Sequence, residues 1–267
     1  EPVMRYFPQY ADLRTPAKDA ILVRHLLAMS SGIAWDEHRP YTDPANSEIA
    51  MIRSPDPYRF ALEQPIAAAP DKVWNHSGGS TQLLAGIVER ATGRSFTDFA
   101  REALFEPLGI TDYEWVVMPN GVIAAASGLR LRPRDMAKIG QLVLNGGEWG
   151  GRQIMSAEWL QESMRPQRSS SYGYQWWLDQ QQGAPDGVPP FFSAQGHDGQ
   201  FIYVIPSLDL VVVRNGTYAK EDGPPVADPT LFAHYPSDGL VPGKGTIAPD
   251  RWDDSAFLTP IVESINP

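Results

Sequence analysis

The 267-residue sequence predicts an α+β fold, with helices first and an antiparallel sheet after them. Three observations carry this. Apolar residues recur at helical spacing through the first half and again from Pro133 to Met164. From Tyr172 the pattern changes to short β-rich runs separated by turn residues. The short spacing between the last two runs favours an antiparallel hairpin.

In chain order, Val23–Met29 reads as a short helix stopped by Ser30-Ser31-Gly32. Residues 36–70 carry six prolines and read as loop, with one helix around Tyr58–Glu63. From Ser80 the period is helical: Leu83, Leu84, Ile87, Val88 and Ala91 form one face, and Gly93 is the stop. Ser95 opens a second helix in a capping-box-like pattern, with Phe96, Phe99, Ala103 and Leu104 on it. Pro133 suits a first turn ahead of the stripe Met136, Ile139, Leu142 and Val143. Ser156 caps a helix through Trp159, Leu160 and Met164. Tyr172–Leu178, Phe191–His197, Phe201–Ile205 and Leu210–Asn215 read as strands, the last two joined through Pro206-Ser207-Leu208-Asp209. Residues 219–252 are rich in Pro and Gly, and Thr259-Pro260 opens a final helix with Ile261, Val262 and Ile265 inward. The expected division is a mostly helical part, 1–125, and a sheet with flanking helices, 126–267.

Composition narrows the function. A net charge of −10 argues against a nucleic-acid partner, which needs clustered Lys and Arg. The chain has no cysteine, so disulfides, Cys-ligated zinc and a Cys nucleophile are excluded. No run approaches the ~18 apolar residues of a membrane span. His25, His38 and His234 lack metal-ligand spacing and no H-E-x-x-H occurs, so neither a metal nor another cofactor is expected.

Two stretches carry candidate chemistry. Trp74-Asn75-His76-Ser77-Gly78-Gly79 precedes the strongest helix, and an imidazole there suits acid–base work near neutrality. An ordinary polar loop with a helix cap explains the same residues. Gln195-Gly196-His197-Asp198-Gly199-Gln200 lies between two β-rich runs. Its glycines admit a ligand close to the backbone, and strand N–H groups stabilise an oxyanion. A plain hairpin turn with His197 at its edge explains that stretch too. Gly78-Gly79-Ser80-Thr81-Gln82 misses the G-x-S-x-G nucleophile elbow at Gln82.

Taken in order, these segments resemble the serine hydrolases related to class C β-lactamases, penicillin-binding DD-peptidases and a group of esterases and amide hydrolases. Tyr6-Phe7-Pro8-Gln9-Tyr10, then Val23-Arg24-His25-Leu26-Leu27-Ala28-Met29-Ser30-Ser31-Gly32, resembles that family's R-H-L-L-x-M-T-S-G run. His76-Ser77-Gly78 stands at its Tyr-x-Asn motif, and Gly128–Met136 at the run opening its next helix. Tyr172–Trp177 and His197-Asp198-Gly199 resemble the strand pair that ends in Lys-Thr-Gly. The resemblance covers residues 1–216. It implies a β-lactamase/penicillin-binding fold and a serine hydrolase acting on an ester, amide or β-lactam through an acyl-enzyme.

The family's Ser-x-x-Lys is not in this sequence. Three positions before Lys18, Lys72, Lys138, Lys220 and Lys244 stand Thr15, Ala69, Asp135, Thr217 and Val241. The expectation is that an N-terminal segment carrying Ser-x-x-Lys completes the fold, and that this chain alone is inactive. On the resemblance, His76 replaces the motif tyrosine as proton shuttle and His197 replaces the lysine of the third box. The Gln200 N–H supplies half of the oxyanion hole. Trp74, Gly78, Trp176, Asp198 and Gly199 border a small-molecule acyl substrate. The alternative is a catalytically inactive penicillin-binding-like binding or sensor protein, which the Tyr-to-His change at position 76 also fits.

Overall fold

The computed structural model describes residues 1–39, 43–178, 187–197, 199–216 and 253–265. The architecture is α+β, as the sequence predicts, in two compact units. One is Glu1–Leu131 with Gln167–Ser169; the other includes Arg132–Pro166 and the sheet residues after Ser170.

The first unit opens with 3-10 turns at Val3–Tyr6 and Pro8–Leu13. Short helices α1 (Pro16–Asp19) and α2 (Val23–Leu27) follow. The buried His25 accepts the Leu22 N–H on Nδ1 at 3.0 Å, satisfying a donor at the start of α2. Burial, then the neighbouring Arg24 charge, hold its pKa below the usual 6.5, against a smaller opposing pull from Asp71. The unfolded chain therefore takes up this proton first as pH falls. The stability that neutral His25 contributes is complete above about 6.5 and is lost below it. Urea midpoints at about pH 8 and about pH 5.5 are expected to differ less in His25→Asn than in the parent; equal differences would refute this.

Residues 36–70 hold more structure than their prolines imply. Besides α4 (Pro57–Glu63), they form α3 (Ser47–Arg53), which the sequence reading missed. Asn46 is its cap, its side chain accepting the N–H groups of Glu48 and Ile49, and Ile49, Met51 and Ile52 are buried. α5 (Gly78–Thr92) begins two residues before the expected Ser80, capped by Ser77, and ends at Gly93 in the left-handed region. Leu83 and Ile87 are buried on it, while Ala91 is exposed.

α6 (Phe96–Ala100) runs into a π-type turn, Arg101–Phe105. The wider turn inserts a residue and shifts the buried face. Phe105 and Leu108 are therefore inside, and the expected Ala103 is outside. Val3, Phe7, Tyr10, Leu26, Leu62 and Leu83 belong to one core cluster of this unit. A short pair, β1 (Tyr113–Trp115) with β2 (Leu129–Leu131), completes it.

In the second unit α7 (Pro133–Leu144) packs on the sheet through Gly140. A Cβ there would lie 2.5 Å from Val211 and 2.9 Å from Ile202. A small hairpin, β3 (Glu148–Trp149) with β4 (Arg152–Gln153), precedes α8 (Ala157–Ser163), capped by Ser156. The sheet is β5 (Phe192–Gly196), β6 (Gln200–Ile205) and β7 (Leu210–Arg214), antiparallel in that order. The expected β6–β7 hairpin turns on Pro206–Leu208, with Asp209 at φ 49°.

Tyr172–Leu178 is not a strand. Gln175 takes φ 63°, Gly173 N–H donates to the Trp176 carbonyl, and within the run only Trp177 bridges to the sheet, at Ser193 on β5. The last helix, α9 (Asp254–Ile265), starts five residues before Thr259, because Asp253 caps it through the Ser255 and Ala256 N–H groups. Pro260 lies inside it; Leu258 and Val262 are buried, whereas Ile265 is exposed. Residues 219–252 lie outside the described residues. No helix among the described residues is long and apolar enough to cross a membrane.

Candidate functional site

Trp74, His76 and Gly78 belong to the first unit, on the loop that enters α5. The loop is stapled by Asn75. Its backbone N–H donates to the Met29 carbonyl at 2.8 Å, and its side-chain amide donates to the Trp35 carbonyl at 2.9 Å. Ser77 then accepts the Ser80 N–H at 3.0 Å and turns the chain into the helix.

Around this start lies a residue that sequence reasoning did not single out. Glu37 receives the Gly78 N–H on Oε1 at 2.6 Å, and the Trp35 indole N–H on the same oxygen. Its Oε2 lies 2.9 Å from His76 Nδ1. The carboxylate side chain is 11% exposed and the imidazole 42%. No local signal marks Glu37, which stands 39 positions before His76 in a Pro-rich stretch.

The paired glycines have a steric cause. A Cβ on Gly78 would lie 2.8 Å from Glu37 Oε1, and one on Gly79 would lie 2.6 Å from the Trp35 ring. Trp35, Val73, Trp74 and Asn75 line a groove of about 590 Å³ in the same unit. Gln82, where the nucleophile-elbow pattern fails, is buried and clamps the backbone at Ile123 and Ala125 through its amide. The unit's buried tyrosines are poorly suited to acid–base work. Burial, with a bond to Asp56, pushes Tyr10 up to about 12. Burial, with Glu89 nearby, does the same to Tyr58. Neither serves as a base at neutral pH.

His197, Gly199, Gln200 and Trp176 belong to the second unit. His197 is exposed on the reversal from β5 to β6, where Gly196 pairs with Gln200. Gly199 takes φ 85°, a conformation that favours glycine. Its carbonyl accepts from Arg214 on β7 at 2.5 Å, and the Gln200 side-chain amide donates to the Gly216 carbonyl. These two bonds tie the reversal to the far strand of the sheet. Trp176 packs edge-on against Phe192 at 5.5 Å, within the cluster that holds Val143, Leu160 and Ile202. Asp198 lies outside the described residues.

Comparison with known proteins agrees with this architecture. The family model described as Beta-lactamase matches residues 1–233. The chain is 26% identical over 249 residues to the 6-aminohexanoate-dimer hydrolase of Paenarthrobacter ureafaciens, covering 83% of this chain and 60% of that protein. It is 27% identical over 143 residues to the lovastatin esterase of Penicillium rubens, covering 51% of this chain and 34% of that one. Among solved structures, a putative 6-aminohexanoate-dimer hydrolase from Bacillus anthracis superposes with a TM-score of 0.65 at 23% identity. That match covers 80% of this chain and 59% of the other, and it speaks for the fold alone. The chain thus spans 60% or less of these relatives' length. With its model matched over most of the sequence, the chain belongs to the beta-lactamase family.

Proposed function

We propose that these residues form part of a serine hydrolase that cleaves an ester, amide or β-lactam bond through an acyl-enzyme, the nucleophilic serine lying outside this sequence. The observation that carries the reading is a half-exposed imidazole, His76, on the loop into α5, in a stretch that resembles the family's Tyr-x-Asn motif. The serine Oγ attacks the carbonyl, His76 accepts its proton, and the same imidazole returns it to the leaving alkoxide or amine. Water then releases the acyl group by the same route. In this reading His197 orients the substrate and the Gln200 N–H contributes half of the oxyanion hole. Trp74, which lines the first unit's groove, borders the acyl group. Relatives named 6-aminohexanoate-dimer hydrolase and lovastatin esterase support a carbonyl substrate of that class.

The test compares this 267-residue chain with the native gene product. The native product is expected to release a burst of nitrophenol from a chromogenic ester and to take up one fluorophosphonate. The chain alone is expected to do neither. Stoichiometric labelling of the chain alone would overturn the assignment of the nucleophile. A native product inert in both assays would favour the inactive binding protein, which the loss of the motif tyrosine also fits.

A further inference from the structure

We infer that Glu37 is the positioning residue that fixes the tautomer of His76, so that proton exchange with the substrate falls to Nε2. The inference rests on the reading of His76 as the proton shuttle. Glu37 Oε1 accepts two N–H groups that are donors only, the Gly78 amide and the Trp35 indole. Both donors therefore demand an acceptor at that oxygen. Oε2 faces His76 Nδ1 at 2.9 Å, and a carboxylate also only accepts. Nδ1 must then carry the proton, and a neutral ring has its lone pair on Nε2. The Gly78 amide opens α5, where the helix favours a negative charge. The glycine at 78 leaves room for the carboxylate, since a Cβ there would crowd Oε1.

The same geometry separates positioning from mere support of the helix. In Glu37→Gln the side chain keeps an oxygen for Gly78 and Trp35, so its NH2 must turn toward His76. Nδ1 then accepts, the proton moves to Nε2, and the base is lost while the helix anchor is kept. Nitrogen NMR of histidine-labelled chain, with the His76 signal assigned by its loss in His76→Ala, reads the tautomer directly. At about pH 8 the parent is expected to protonate Nδ1 and Glu37→Gln to protonate Nε2. Glu37→Asp, which retains an acceptor, is expected to keep the parental tautomer. In the native gene product, Glu37→Gln is expected to lower kcat on the order of 10²–10⁴-fold with little change in KM.

A parent His76 protonated on Nε2 overturns the inference, and so does a folded Glu37→Gln chain with the tautomer unchanged. If Glu37→Gln does not fold, the parent spectrum decides alone. If the tautomer switches and hydrolysis is unaffected, Glu37 still positions the ring, and the reading of His76 as the shuttle fails instead.

Discussion

Replacing His76 with alanine in the native gene product is expected to lower kcat for a nitrophenyl ester by ~10²–10⁴-fold, the usual contribution of a positioned acid or base. KM is expected to change little, because the lost group acts on a proton in flight rather than on the bound acyl chain. The fold should survive. The ring is 42% exposed, while the loop is held by Asn75 and Ser77 rather than by the imidazole. The loss should be smaller for an activated nitrophenyl ester than for an anilide, whose poor leaving group needs the returned proton. Steady-state kinetics on both substrates, with a melting curve to verify folding, check the expectation. Equal activity of parent and variant on the anilide would remove His76 from the mechanism.

The largest stability loss is expected at Phe7. The ring is fully buried in the first unit's core, and Arg90 lies over one face with its guanidinium carbon 4.5 Å from the centroid. Tyr10 and Tyr58 sit beside it, with centroids at 6.1 and 5.9 Å. Phe7→Ala removes that packing and leaves Arg90 over a cavity. The cost is ~3–5 kcal/mol, the range for a buried aromatic cut to alanine. In a chain of this length that lowers Tm on the order of 10 °C. Urea unfolding of parent and variant measures it. A loss below about 1 kcal/mol would mean that the neighbours collapse into the space, well outside that range.

Local chemistry made much of this architecture legible. Helix α5 could be read because its apolar period is long and Gly93 supplies a left-handed stop. The β6–β7 hairpin could be read because two β-rich runs flank a four-residue gap containing proline. Misses arose where a local rule was overridden. Six prolines concealed α3, whose signal was the single cap Asn46. Tyr172–Leu178 has strand composition, yet Gln175 adopts a positive φ and folds the run back on itself. The π-type turn after α6 shifted the buried face by a residue, which a fixed period of 3.6 does not capture. At the candidate site, His76 was visible as a titratable group on a glycine-rich loop. Glu37 was not, because His76 and the Gly78 amide reach it only through the tertiary fold.

The glycine at position 78 has a consequence for how this site can vary. A Cβ there would lie 2.8 Å from Glu37 Oε1, so a larger residue must displace that carboxylate, which also touches the imidazole two positions before the glycine. Histidine, glycine and glutamate are thus linked as a triplet. A larger side chain at position 78 therefore moves Glu37, and with it the partner of His76 Nδ1.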